Sequence, residues 1–197
     1  FELQRSPVGT ADWATVHRSD LMRSDAALVR QVHQLVAALE ANPAGGAGDA
    51  HTTLLLSQDD GQTWTQRDDP CGTTPGDAAD EIDAAHVVLS LTGEVVVLCQ
   101  RRAWRSNGGN STVMLSADGG ATFSTPTGFA EATDATSVAA AGNGVLLAET
   151  HQGSSGDVVL QRSTDGGRTW TEVARAPLPG GDTDAPYLAF STTRVAT

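Results

Sequence analysis

The chain has no lysine. Its 12 basic side chains are all arginines, set against 24 acidic ones, for a formal net charge of −12 over 197 residues. An acidic surface without a basic stripe excludes the electrostatic footprint of a nucleic-acid binder and offers no attraction to an anionic membrane. The acidity serves solubility and also suits adaptation to salt. No run of about 18 apolar residues is present, so membrane insertion by a helix is not expected. The first residues carry no signal-like pattern, so the chain is expected to be soluble as given, a leader removed beforehand being left open. Two cysteines permit one bridge at most, and there is a single tyrosine. The chain is rich instead in turn formers, with 21 glycines and 8 prolines, and its 39% hydrophobic content is enough for the core of one ordinary domain.

Its information lies in a repeat. Ser57-Gln-Asp59-Asp-Gly61-Gln-Thr63-Trp64, Ser116-Ala-Asp118-Gly-Gly120-Ala-Thr122-Phe123 and Ser163-Thr-Asp165-Gly-Gly167-Arg-Thr169-Trp170 share the pattern Ser-x-Asp-x-Gly-x-Thr-aromatic, their first serines 59 and 47 residues apart. Repeats at such a period indicate solenoids or propeller blades. A short polar run with Asp and Gly between two alternating apolar runs is a hairpin turn, since Gly takes positive φ at little cost and Asp bonds nearby backbone amides. The terminal Trp or Phe starts the next strand and can cover the turn with its ring.

This octapeptide resembles the Asp-box, the bacterial neuraminidase repeat of sialidases, several other glycoside hydrolases and sortilin-like receptors. The resemblance implies an all-β propeller in which each box occupies the turn between the third and fourth strands of a blade, on the face opposite the ligand site. It also implies that Asp59, Asp118 and Asp165 hold turns and do no chemistry.

The repeat extends beyond the boxes. Leu3-Gln-Arg-Ser6 matches Leu160-Gln-Arg-Ser163, and the match continues without a gap to Trp13 against Trp170 and Val16 against Val173. Residues 6–13 are therefore a degenerate fourth box in which Val8 and Thr10 replace Asp165 and Gly167. Between boxes, Asp25-Ala, Asp83-Ala, Asp134-Ala and Asp184-Ala recur 58, 51 and 50 residues apart and mark the entry to the innermost strand of four blades. Short β-branched or apolar segments bounded by turn residues supply the strands. In the second unit these are 86–91, 94–100, 111–115 and 121–124, and in the third 137–141, 145–150, 158–163 and 169–174. Four antiparallel strands per repeat make a propeller blade. In the first unit, residues 25–40 carry apolar side chains at a spacing that also suits an amphipathic helix. Alignment of Asp25-Ala-Ala with Asp83-Ala-Ala favours two strands and a tight turn near His33.

One domain, 1–197, is expected. Residues 1–16 give strands three and four of a split blade, 25–70, 83–130 and 134–178 give three blades, and 184–197 begins the split blade or the next one. Joining strands from both chain ends would close four blades and remove free sheet edges. An incomplete or split stretch of a six- to eight-bladed propeller is the preferred alternative, and open edges would then allow dimerisation by edge pairing. Cys71 and Cys99, 28 residues apart, fall on the same face of neighbouring blades. A disulfide between them favours an exported protein, secreted or at the cell surface or in the periplasm, with two buried thiols as the alternative. Asn110-Ser-Thr is a glycosylation acceptor if the route is eukaryotic.

The face opposite the boxes is where the resemblance places ligands. Asp25, Asp83, Asp134 and Asp184 would ring its central channel, with His86 and Tyr187 just inside. Converging carboxylates suit sugar hydroxyls or a hard cation such as calcium, and the architectural alternative is that each Asp caps its strand-entry turn. His17, Glu40, His51, Glu149 and His151 fall on the same face, but none has the fixed spacing of a metal motif, so no metal or other cofactor is implied. A sialidase would require an Arg-Ile-Pro motif, which is absent, an arginine triad, for which Arg30 and Arg101 are the candidates, and a nucleophilic Tyr paired with Glu, for which only Tyr187 and Glu149 offer themselves. Two expectations follow: a non-catalytic propeller binding a glycan, peptide or protein partner on the face opposite the boxes, or a glycoside hydrolase of sialidase type or a portion of one. Fold alone does not decide between them.

Overall fold

The alternating apolar segments form strands throughout. The computed structural model describes residues 2–7, 9–18, 23–31, 33–41, 51–67, 70–71, 80–90, 92–103, 111–129, 134–142, 144–152 and 157–177. The strands are β1 (Glu2–Arg5), β2 (Ala14–Arg18), β3 (Arg23–Gln31), β4 (Gln34–Ala41), β5 (His51–Ser57), β6 (Thr65–Arg67), β7 (Asp80–Leu89), β8 (Val95–Ala103), β9 (Ser111–Ser116), β10 (Asp134–Gly142), β11 (Val145–Gln152), β12 (Asp157–Ser163) and β13 (Thr171–Ala176). They make four antiparallel meanders ordered β1-β2, β3-β4-β5-β6, β7-β8-β9 and β10-β11-β12-β13. Residues 25–40 are thus two strands, with His33 in the turn between them. Their helical spacing yields to pairing of β4 with β3 on one side and β5 on the other. Residues 178–197, and with them Asp184 and Tyr187, lie outside the described residues.

Each box turn is fastened by the Asp carboxylate. In the first, Asp59 Oδ1 accepts the Ser57 hydroxyl at 2.8 Å and the amides of Gln62 and Thr63 at 3.0 and 2.9 Å, while Oδ2 accepts the Thr63 hydroxyl at 2.6 Å. Asp118 repeats this set with Ser116, Ala121 and Thr122, and Asp165 accepts from Ser163 and Thr169. The serine oxygen in turn accepts the amide of the box glycine four residues on, Gly61, Gly120 or Gly167. The ring closes over the turn as its residues predict: the indole nitrogens of Trp64 and Trp170 donate to the carbonyls of Gly61 and Gly167. In the degenerate box Ser6 still reaches Thr10, but Trp13 remains 66% exposed, whereas Trp170 is 3% exposed.

These bonds favour the ionised Asp. The Thr63 hydroxyl, then its amide and the Ser57 hydroxyl, bring the Asp59 carboxyl down to about 2. At Asp165 burial pushes the carboxyl upward, and the bonds from Thr169 and Ser163 together outweigh it and bring it to about 2. Thr122 and Ser116 hold Asp118 below the usual carboxylate range as well.

The meanders stack face to face. Val36, Leu54 and Leu56 of the first complete blade pack on Val87, Leu89, Val95, Val97 and Cys99 of the second. The other face of the second, with Val96, Leu98, Val113 and Leu115, packs on Val138, Leu146, Ala148 and Trp170 of the third. Strand β8 is therefore buried on both faces, which explains its unbroken apolar run from Val95 to Cys99. On the outer side of the first blade, Leu3 of β1 packs with Ala37, Leu55 and Trp64. Leu28, opposite Ala37 in the ladder, is 59% exposed, so β1-β2 covers only the outer part of that face. Cys71, just beyond β6, is bonded to Cys99 of β8, with a Cα–Cα distance of 5.4 Å, and ties the first blade to the second.

The expected strand 121–124 does not form a full outer edge to the second blade. It is reduced to one bridge, Leu115 with Ser124, because Pro126 has no amide hydrogen to continue the ladder. The chain crosses to the third blade instead: the Thr127 amide donates to the Arg168 carbonyl and the Thr127 carbonyl accepts the Trp170 amide, both at 3.0 Å. Phe129 then meets the Trp170 ring edge-on at 5.4 Å.

Gly120 sits at φ 93°, and a Cβ there would lie 2.4 Å from Leu56 Cδ1 of the preceding blade. We therefore expect Gly120→Ala to cost about 1–3 kcal/mol in urea unfolding; an unchanged midpoint would contradict this close approach. The box carboxylates also set an acid limit. Their folded pKa lies below the unfolded value of about 3.9, so their stabilisation is complete above about pH 4 and is lost as pH falls towards about 2. Urea midpoints should fall over that window, and less steeply in Asp165→Asn; identical slopes would contradict the assignment.

Candidate functional site

Strand direction fixes which end carries what. The boxes join β5 to β6, β9 to Ser124 and β12 to β13, so the entries to the inner strands β3, β7 and β10 lie at the opposite end of each meander. Strand β7 packs against both β3 and β10, which brings the three entries together. Asp25 is the third residue of β3, Asp83 the fourth of β7 and Asp134 the first of β10.

The register adds what the repeat alone did not show. Asp25 stands opposite Glu40, Asp83 opposite Gln100 and Asp134 opposite His151. Glu40, Gln100 and His151 occupy equivalent places on the second strand, since Leu35, Val95 and Leu146 pair with the first serines of the three boxes. Among the described residues, each repeat Asp is thus paired in register with a residue type capable of hydrogen bonding, and that residue changes from blade to blade. A register shift adjoins each Asp-Ala pair, between Arg23 and Asp25, Asp83 and His86, and Ala135 and Ser137. Such bulges re-aim side chains and are common beside functional sites. His86 pairs with Leu98, three residues further in than Asp83. His51 pairs with Ala41 at the same end of the first blade, and His17 with Leu3 in the N-terminal pair.

The third blade holds a buried polar group near this end. Glu149 is 2% exposed, and its Oε1 lies 3.5 Å from His151 Nε2. Ser137 faces Glu149 across the ladder, and its buried hydroxyl has no hydrogen-bond partner among the described residues. Val138 and Ala148 pack against the second blade, so by strand alternation Ser137 and Glu149 point away from it. Tyr187, the expected partner of Glu149, lies outside the described residues, as does Asp184. Arg30 is not at this end. Its guanidinium is 2.9 Å from Asp60 of the first box, because Arg30 is the last residue but one of a strand that runs towards the boxes. Arg101 is opposite Ile82, next to the Asp83 rung. Among the described residues no group of three His, Cys, Asp or Glu side chains is placed to hold a metal ion, and no helix is long and apolar enough to cross a membrane.

Sequence reasoning singled out the repeat Asp residues through their repetition, and Asp25, Asp83 and Asp134 stand near the starts of β3, β7 and β10. It missed Gln100 and Ser137, whose identities do not recur and whose only signal is their register opposite Asp83 and Glu149.

Residues 161–172, which include the whole third box, match the BNR/Asp-box repeat family. No curated protein is similar enough in sequence to match the chain. Among solved structures, the chain is similar to the Trypanosoma rangeli sialidase bound to the inhibitor DANA, at 16% identity and a TM-score of 0.50 over 86% of this chain and 32% of that one. It is also similar to a glycosyl hydrolase from Bacteroides ovatus (13% identity, TM-score 0.47, 81% of this chain and 50% of that one). A family 117 glycoside hydrolase from Zobellia galactanivorans gives 10% identity and a TM-score of 0.49 over 78% and 46%. The chain thus spans between a third and a half of the length of these structures. The likeness to the sialidase, at 16% identity, speaks for the fold alone, and with three Asp-box turns at the ends of stacked antiparallel meanders, the chain has a β-propeller fold of the sialidase-like kind.

Proposed function

We propose that the chain is an exported, non-catalytic propeller that binds a glycan on the face opposite its Asp-boxes. The observation that carries this reading is the set of three opposed pairs, Asp25 with Glu40, Asp83 with Gln100 and Asp134 with His151, at the clustered entries of the inner strands. Residues bearing carboxylates, an amide and an imidazole at these register positions have the chemistry to match the alternating donors and acceptors of sugar hydroxyls. The shared fold with a sialidase favours a glycan over a peptide or protein partner. The Cys71–Cys99 bond favours secretion, the cell surface or the periplasm.

A second reading, a portion of a glycoside hydrolase, is favoured by one feature: Glu149, buried beside His151 and opposite the Ser137 hydroxyl. That group would need a second acid at a defined separation to cleave a glycosidic bond.

A glycan array probed with the chain and with Asp83→Asn and Asp134→Asn tests both readings. The binding reading predicts retention of at least one glycan, a loss of about tenfold or more in either variant, and no release of 4-methylumbelliferone from its sialoside. Binding untouched by both substitutions would overturn the assignment of the site. Turnover that Glu149→Gln abolishes would establish the hydrolase reading instead.

A further inference from the structure

The box face carries a groove of its own. Between the first and second complete blades, four turns meet around a cavity of about 430 Å3 lined by Gln31, His33, Gln34, Gln58, Thr92 and Asp118. This volume lies within the roughly 300–1,000 Å3 of small-molecule sites. The next junction shows what would fill such a space. Gln34 and Glu94 are equivalent residues, each preceding the one that pairs with the first box serine of its blade. Ala121 and Arg168 are likewise equivalent, one place before the box threonine.

Between the second and third blades, Glu94 and Arg168 make an ion pair at 2.9 Å. Glu94 is 5% exposed and also accepts the hydroxyls of Ser90 and Thr92. Gly166 of the third box packs directly on its carboxylate, where a Cβ would come within 2.7 Å of Cδ. The pair closes that junction with charge and bulk. Between the first and second blades the same two places hold Gln34, which is neutral, and Ala121, which is short, and the space stays open.

The charges around the open groove are already engaged. Both carboxylate oxygens of Asp118 are taken up by its own box. Asp60 is held by Arg30 at 2.9 Å and His33 at 2.7 Å. The groove therefore presents the carboxamides of Gln31, Gln34 and Gln58, each able to donate and accept at once. Such a lining matches vicinal hydroxyls and gives no strong purchase to an anion or a metal ion.

We propose that this groove is a second binding site, on the box face, for a neutral saccharide. It does not rest on the reading given above for the opposite face, and its readout is local. The full chain, labelled with 15N, is titrated with lactose, maltotriose and cellotriose to about 10 mM while the side-chain amide resonances of Gln31, Gln34 and Gln58 are followed. At least one of these sugars should shift those resonances saturably, with a Kd in the millimolar range or tighter, and N-acetylneuraminic acid should not. Gln34→Glu with Ala121→Arg rebuilds the plug of the neighbouring junction and should weaken binding at least tenfold; Gln58→Ala, at an exposed position, should do the same if the double variant fails to fold. No shift with any neutral sugar, a comparable shift with N-acetylneuraminic acid, or undiminished binding in a folded variant would overturn the proposal.

Discussion

A carboxylate that accepts several hydrogen bonds within one eight-residue turn is the interaction on which the rest of this structure depends. Asp59, Asp118 and Asp165 each take the serine hydroxyl two residues before, the threonine hydroxyl four residues after and that threonine's amide. The spacing of the motif is thus the spacing of its bonds. Ser, Asp, Gly and Thr stand where they do because one carboxylate and one hydroxyl must reach the backbone of the same loop. With the loop fixed, the register of the flanking strands follows. The aromatic residue is then set down over the turn, and in the third blade Trp170 is buried against Phe129, from the segment that leaves the second. Local hydrogen bonding at the surface thus places a ring that joins the apolar packing between the second and third blades.

Most of this was legible in the sequence, because a repeat is evidence independent of local propensity. The segment 25–40 illustrates the point: its apolar spacing suits a helix, yet its alignment with the second unit identifies two strands, and β3 and β4 are found there. Where the reading failed, a single residue outweighed the repeat. Pro126 ends the ladder after Ser124, and Thr127 pairs with the third blade rather than its own. Trp13 aligns with Trp170 but stays exposed, since Thr10 stands in place of the glycine whose amide and carbonyl anchor the intact turns. The candidate site was half legible. The repeat Asp residues announce themselves, whereas the residues opposite them do so only once the ladder is known.

The separation of architecture from recognition follows the same geometry. The box residues shared by the three intact turns sit where bonds within the turn demand them. Residues that differ between blades pair in register with the repeat Asp residues, as Glu40, Gln100 and His151 do, or sit at the junctions between blades, as Gln34 and Glu94 do. Variation at those places changes what the surface offers without altering the turns that support it. Glu94 shows the other side of this balance. Burial pushes its carboxyl upward, and the hydroxyls of Ser90 and Thr92 with the Arg168 guanidinium bring it below the usual range, so a charge can be kept at a junction when enough donors converge on it.

The central claim is that the box carboxylates are saturated structural groups. A carbon-detected NMR titration of the aspartate side chains tests it most directly. The account predicts that Asp59, Asp118 and Asp165 stay ionised down to about pH 3, well below the ordinary carboxylate near 3.9. Titration of these three with the ordinary aspartates, near pH 4, would contradict it.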